Sequence, residues 1–226
     1  MNNIVHKKYS YIFRENRGMI EMYRKYIKRC IDIIFSLIGL ILTSPILIIT
    51  SVAIKLESEG PVIFKQNRLG KDGKIFKIYK FRSMCVGAEK KGSGQYSFKN
   101  DPRVTKVGRV IRATSIDELP QFVNILKGDM SIVGFRPPLT YHPWPYEEYN
   151  DEQKKMFSER PGVTGWAQIH GRKEVQWIDR INMNVWYNEH ISFILDCRIV
   201  LCTIWKVLKN ENNENTTITV NNSKER

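Results

Sequence analysis

Residues 33–54 read IIFSLIGLILTSPILIITSVAI, twenty-two residues without a charge and with Pro45 near the middle. At about 1.5 Å per helical residue such a stretch reaches roughly 33 Å, the thickness of a bilayer's hydrocarbon core. Length alone therefore predicts a membrane span. The flanks point elsewhere, because Arg24, Lys25, Lys28 and Arg29 precede the stretch and Lys55, Lys65 and Arg68 follow it. Lys and Arg mark the cytoplasmic end of a span, and here both ends carry them. Pro45 removes a helix donor and pushes Ser44 out of the α region, while the Thr43 and Ser44 hydroxyls are suited to carbonyls freed by a break. Two readings stand: a helix broken at Ser44-Pro45 that dips into one leaflet and returns, and a Pro-kinked helix that crosses.

No second stretch approaches eighteen apolar residues, and 226 residues suffice for one globular domain plus a membrane element. The formal net charge is +13, from 36 Lys and Arg against 23 Asp and Glu. Such a surplus suits an anionic membrane surface first, phosphorylated substrates second and nucleic acid third. The apolar run starts too late and is too long for a secretory h-region, and no A-x-A-like cleavage site follows. Cys30, Cys85, Cys197 and Cys202 form no C-x-x-C pair and have no nearby His at zinc spacing, which reads as reduced thiols. Cys30, at the membrane boundary, has acylation as its one special chemistry.

The chain reads as a polar arm over 1–22, a basic flank and membrane helix over 23–56, a catalytic domain over 57–209 and a disordered tail over 210–226. The run starting at Pro61 and the run Lys74–Phe81 predict two strands joined through Gly70-Lys-Asp-Gly73, a hairpin. Gly87–Lys99, rich in Gly, Ser and Lys, reads as a mobile loop. Leu119, Phe122, Val123 and Leu126 lie at i, i+3, i+4 and i+7, and Lys127-Gly128 ends that helix. Ser115 and Glu118 have capping-box spacing at its start, although Pro120 favours a start nearer Asp117. Residues 136–146 hold four prolines and read as irregular, and Ile191–Lys209 reads as a final helix for the membrane interface or the core.

Asp117 and Glu118 are adjacent carboxylates at a predicted helix start, where the dipole favours their ionised forms. An ionised Asp can attack phosphorus and a neighbouring carboxylate can hold a divalent cation; two acids that merely start a helix are the alternative. Arg103, Lys106, Arg109 and Arg112 precede the pair, Arg136 follows, and Lys80 and Arg82 come from the hairpin. A basic ring of this kind suits a phosphate-bearing substrate, since guanidinium binds phosphate bidentately. A solvated basic face near anionic lipid is the other reading. No Walker loop or G-x-G-x-x-G is present, and His6, His142, His170 and His190 make no metal or triad pattern.

Lys80-Phe-Arg-Ser-Met84, Asp101–Arg109, Thr114-Ser-Ile-Asp-Glu-Leu-Pro-Gln121, Lys127–Gly134 and Arg160-Pro-Gly-Val-Thr-Gly-Trp-Ala-Gln168 occur in that order. Together they resemble the bacterial sugar transferase family, the small monotopic polyprenyl-phosphate phosphoglycosyl transferases, from about Tyr26 to Lys209. The resemblance implies transfer of a sugar 1-phosphate from a UDP-sugar to undecaprenyl phosphate, with UMP released. It implies Asp117 as nucleophile forming a covalent phosphosugar, Glu118 as Mg²⁺ ligand with Asp117 beside it, and Lys80, Arg82, Arg112, Arg136 and Pro137 as the phosphate and nucleotide site. It implies an α+β fold: a re-entrant helix broken at Ser44-Pro45, and a small, mostly helical cytoplasmic catalytic domain with a short hairpin and interfacial amphipathic helices. The implied place is the cytoplasmic face of a bacterial inner membrane, as a monotopic protein among membrane lipids. Nucleic acid is not an expected partner, and a homodimer is left open. The family commonly has Pro-Arg-Pro where this chain has Phe135-Arg136-Pro137, a change next to the expected pocket. Longer relatives carry an N-terminal multi-span domain, so this chain reads as the minimal catalytic form. The sugar stays open, with a lean toward an N-acetylated or bacillosamine-type hexosamine.

Overall fold

The computed structural model describes residues 18–90, 98, 100–171 and 175–209. The architecture is α+β and mostly helical. A continuous helix of 40 residues runs from Gly18 to Glu57, with a π turn at Tyr23–Ile27 followed by α1 (Lys28–Glu57). It is long and apolar enough to cross a membrane by length and composition. Most of its apolar side chains face outward rather than into a core: Phe35 is 60%, Leu42 73% and Ile49 69% exposed.

Two features of this segment refine the expectation. Residues 18–22, the described end of the expected polar arm, are helical and continue into the long helix. The helix does not end at Ser44-Pro45 but runs through with Pro45 inside it. Proline's fixed φ suits a helix, and it lacks only the N–H that would reach the Ile41 carbonyl; one missing bond bends a helix more readily than it ends one.

β1 (Ile63–Leu69) and β2 (Ile75–Phe81) form the expected hairpin. Its turn places Asp72 at φ 54° and Gly73 at φ 73°, left-handed values that Gly and Asp tolerate. The expected loop at Gly87–Lys99 begins with a 3₁₀ turn, Ala88–Lys90; most of the rest, like the tail from Asn210, lies outside the described residues.

The backbone divides into two compact units, and α1 and the hairpin contribute to both. The first comprises the described parts of Met1–Leu42, Gln66–Ile78 and Gln121–Thr203. Here β3 (Ser131–Val133) pairs in parallel with β4 (Gly162–Thr164), Ser131 opposite Gly162 and Val133 opposite Thr164. The strands pack so closely on the following backbone that a Cβ on Gly162 would lie 2.1 Å from the Gly134 nitrogen. Around this pair stand α3 (Gln121–Lys127), α4 (Asp151–Lys154), α5 (Trp166–Ile169), α6 (Trp177–Glu189) and most of α7 (Phe193–Leu208). Phe135, Tyr149 and Phe157 make one core cluster; Tyr23, Tyr187 and Ile199 make another.

The basic flank of the long helix is largely absorbed by this unit. Arg24 pairs with Glu159, and Lys28 donates to Asp196 at 2.5 Å. Arg29 donates to the Ile125 and Leu126 carbonyls at 2.7 and 3.0 Å, the open end of α3. Asp32 accepts from the Ser131 hydroxyl at 3.0 Å and the Ile132 amide at 2.9 Å, tying the helix to β3. Tyr23 and Tyr187 donate to the two oxygens of Asp196, and burial beside that carboxylate pushes both hydroxyls up, so both stay protonated.

The second unit comprises the described parts of Thr43–Lys65, Tyr79–Pro120 and Ile204–Arg226. Its core packs Ile54 and Leu47 of α1 with Phe81 of β2, Ile116, and Ile111 of α2 (Lys106–Ala113). α2 starts at a Thr105 cap, whose hydroxyl accepts from the Gly108 amide at 2.9 Å. Glu57, the last residue of α1, accepts from the Lys106 and Val107 amides at 2.6 and 3.0 Å.

Candidate active site

Asp117 and Glu118 sit in a 3₁₀ turn, Ile116–Glu118, that follows α2. The expected capping box is absent. Ser115 lies at φ 58°, ψ 15° and its side chain makes no cap bond. The α-helix begins later, at Gln121, directly after Pro120, whose missing N–H costs nothing at a helix start. The dyad is thus displayed on a tight turn before the helix rather than in its first turn. A left-handed non-glycine residue two positions before the candidate nucleophile costs about 1 kcal/mol or more, and such strain clusters at functional sites.

The turn is held from two sides. Ile116 packs against the cluster of Ile54, Phe81 and Ile111. α2 runs against the strand-end segment 80–84: the Thr105 amide donates to the Ser83 carbonyl at 3.2 Å, and the Cys85 amide to the Arg103 carbonyl at 2.9 Å. Gly108 makes this approach feasible, because a Cβ there would fall 2.0 Å from the Ser83 carbonyl oxygen.

Two of the expected cations meet the dyad. Lys80 Nζ lies 2.6 Å from Glu118 Oε1, both side chains about one-fifth exposed. Arg112, the seventh residue of α2, is half-buried; burial draws it below the usual guanidinium value, and the charges of Asp117 and Asp101 oppose that shift. The other bases divide by task. Arg103 grips Asp101 through Nε and a terminal nitrogen, at 2.9 and 2.6 Å, and donates to the Ala88 carbonyl at 2.8 Å. Lys106 and Arg109 stand exposed on α2.

Arg82, expected beside Lys80 in the phosphate site, is engaged with backbone carbonyls. It is 6% exposed, and its terminal nitrogens donate to the Glu59 carbonyl at 2.6 Å and the Ser58 carbonyl at 2.8 Å. Alternation along β2 explains the division: Lys80 and Arg82 fall on one face of the strand, but Arg82 lies past its end, where the carbonyls after α1 need donors. Arg82 is a clamp on the end of α1.

Arg136 and Pro137 belong to the first unit. Arg136 is exposed between buried Phe135 and Pro137, and the Pro137 carbonyl accepts from Arg68 at 3.1 Å. Pro137 therefore shapes a loop and offers no open face. The substituted position, Phe135, is fully buried and edge-on to Phe157 at 5.2 Å, so it serves the core. Ser44 and Pro45 lie mid-helix in α1, apart in sequence from all these groups.

Among the described residues no three His, Cys, Asp or Glu side chains cluster to hold a metal. Asp117 and Glu118 still suit Mg²⁺, which takes one or two carboxylates and completes its shell with water and substrate phosphate oxygens. Arg112 and Lys80 beside them suit the phosphates such an ion would accompany.

Residues 23–210 match the family model described as bacterial sugar transferase. The chain is 42% identical over 186 residues to "Uncharacterized sugar transferase EpsL" of Bacillus subtilis (strain 168), covering 82% of this chain and 89% of that one. It is 43% identical over 192 residues to the UDP-glucose:undecaprenyl-phosphate glucose-1-phosphate transferase of Escherichia coli (strain K12), covering 83% of this chain and 41% of that one. It is 45% identical over 186 residues to the UDP-N-acetylgalactosamine-undecaprenyl-phosphate N-acetylgalactosaminephosphotransferase of Aeromonas hydrophila, covering 81% and 44%. This chain thus spans less than half the length of the Escherichia coli and Aeromonas hydrophila relatives. The match across most of its residues, with the dyad and its cations inside the matched range, places the chain in the bacterial sugar transferase family.

Proposed function

We propose that the protein transfers a sugar 1-phosphate from a UDP-sugar to undecaprenyl phosphate through a covalent intermediate on Asp117. The reading rests on one observation: adjacent carboxylates on a strained turn, with Lys80 on Glu118 and Arg112 acting on Asp117. A diphosphate repels a carboxylate nucleophile, so cations must offset its charge before attack. Asp117 attacks the phosphorus that bears the sugar; the bond from that phosphorus to the UMP oxygen breaks, and UMP leaves with the electron pair. A phosphate oxygen of undecaprenyl phosphate then attacks the same phosphorus, frees the Asp117 carboxylate and leaves a polyprenyl-diphosphate sugar. Glu118, with Asp117 beside it, would hold Mg²⁺, which when bound would supply Lewis-acid neutralisation of the phosphates.

The acceptor's lipid chain calls for a membrane-seated enzyme. α1 carries exposed Phe35, Leu42 and Ile49, and α7 shows a stripe of Ile194, Leu201 and Leu208, which are 80%, 67% and 77% exposed. That stripe repeats every seven residues along one face, as for a helix lying in the interface. The proposal places α1 as a bent dip into the cytoplasmic leaflet of the inner membrane.

The test is product analysis with purified protein, a panel of UDP-sugars, and undecaprenyl phosphate present or absent. Sustained UMP release that needs the acceptor, with a polyprenyl-diphosphate sugar as product, is expected. Sustained release of sugar phosphate and UMP without acceptor would identify a phosphohydrolase, and no release from any donor would remove the enzyme reading.

A further inference from the structure

α6 was not foreseen from the sequence, and its first turn carries a cationic group outside the dyad's surroundings. Arg180 is half-buried, and its Nε donates to the Val175 carbonyl at 2.9 Å. Its guanidinium carbon lies 5.1 Å from the centre of the Trp177 ring. A carbonyl on Nε and a ring beneath the plane fix a guanidinium without using its two terminal nitrogens. Trp177 is itself braced edge-on by His142, with centroids 5.3 Å apart at 72°. His142 belongs to the proline-rich loop after Arg136, and backbone bridges link it to Leu139 and Leu139 to Arg68. Arg68 is spent on this scaffold, donating to the Pro137 carbonyl and to Gln66 Oε1.

The same loop begins with exposed Arg136, whose charge acts on Arg180. Burial and that like charge both pull Arg180 below the usual guanidinium value. Among the described residues, then, Arg180 meets a carbonyl, a ring and a second cation.

We propose that Arg180 and Arg136 form a binding site for a phosphate ester, with Trp177 as the plate that orients the Arg180 fork. A phosphate can take the terminal nitrogens of a pre-oriented guanidinium in bidentate fashion. In this enzyme reading, on which the inference rests, two substrates carry that chemistry: the diphosphate of the nucleotide donor and the phosphate of the polyprenyl acceptor. The site is new relative to the dyad in that Arg180, Trp177 and His142 are assigned to recognition rather than to the core.

Arg180→Gln and Arg180→Lys in the full chain test it, with thermal unfolding as the check on folding. The expected result for Arg180→Gln is a KM raised roughly tenfold for one substrate, with kcat within about threefold, the size of one charge-assisted hydrogen bond. Arg180→Lys should recover part of that loss. A rise in the UDP-sugar KM, with weaker binding of UDP itself, assigns the site to the nucleotide; a rise in the undecaprenyl-phosphate KM with UDP binding unchanged assigns it to the lipid phosphate. A folded Arg180→Gln protein with both KM values unaltered, or with kcat alone reduced, overturns the proposal. Should the unmodified protein turn over no donor, titration of UDP and of undecaprenyl phosphate in detergent still decides the matter: equal binding by the unmodified and Arg180→Gln proteins would sink the site independently of the enzyme reading.

Discussion

Asp117 and Glu118 are neighbours in sequence but are set in different company. Lys80 at 2.6 Å orients Glu118, whereas the half-buried Arg112 acts on Asp117. Glu118→Gln should leave the fold intact and reduce turnover roughly a hundredfold, because the amide no longer helps neutralise donor charge. EDTA in excess should silence the unmodified enzyme in the same assay; full UMP release in EDTA would remove Mg²⁺ from the account. The adjacency of two acids among many bases was legible in the sequence, and the phosphate chemistry proposed for them starts from it. The backbone of the dyad was not. Ser115 and Glu118 have the spacing of a capping box, yet Ser115 takes a left-handed conformation and Glu118 turns to Lys80. A motif's spacing cannot report which of two hydrogen-bond partners wins when one of them is 38 residues away in the sequence. Arg82 shows the same limit: type and position suggest a phosphate ligand, and no local pattern announces its bonds to the carbonyls beyond α1.

Elements explain how so small a turn is positioned. α2 lies against the Lys80–Met84 segment through Gly108, where any side chain would meet the Ser83 carbonyl. Gly108→Ala should therefore destabilise the protein by about 1–3 kcal/mol as α2 is pushed away, read as a lower unfolding midpoint in detergent. An unchanged midpoint would mean that the two segments are not in contact. The long helix is fastened likewise, by Lys28 donating to Asp196 with both side chains 9% exposed. Lys28→Met strands that carboxylate, and breaking such a buried pair costs about 3–5 kcal/mol. Asp196→Asn in the Lys28→Met background should recover much of the loss, because the buried charge is then gone; no recovery would show that Lys28 acts through packing alone. Element by element, the hairpin and the final helix were readable from their periodicity and turn residues. α6 was missed because its buried face holds Asn184 and Asn188 beside Ile181 and Tyr187, so the apolar period is interrupted. Asn188 is buried because its amide donates to the Lys155 and Met156 carbonyls, both at 2.9 Å, a long-range contact that no local pattern announces. β3 and β4 are three residues each and pair across nearly thirty residues, too short for any alternation to register.

For the whole molecule, the question is how α1 meets the bilayer. The basic flank that argued for a same-side return is partly spent inside the fold, on Glu159, Asp196 and the end of α3. The dip consequently leans on Pro45 and on the need to bring an enzyme to a lipid phosphate. Single cysteines near Asn3 and near Asn221, in a background free of Cys30, Cys85, Cys197 and Cys202, should both resist an impermeant reagent in intact cells. Replacing Ser44 and Pro45 with Ala and Leu should favour a straight crossing helix, expose the Asn3 site and lower activity. Labelling of the unmodified protein's Asn3 site in intact cells would mean that α1 spans the membrane. The central claim is chemical, and intact-protein mass tests it most directly. Purified enzyme incubated with a turned-over UDP-sugar and no acceptor should gain the mass of one sugar phosphate, lose it when undecaprenyl phosphate is added, and gain nothing when Asp117 is replaced by Asn. An adduct that persists in Asp117→Asn, or acceptor-dependent turnover by that variant at the normal rate, would contradict the assignment of Asp117 as nucleophile.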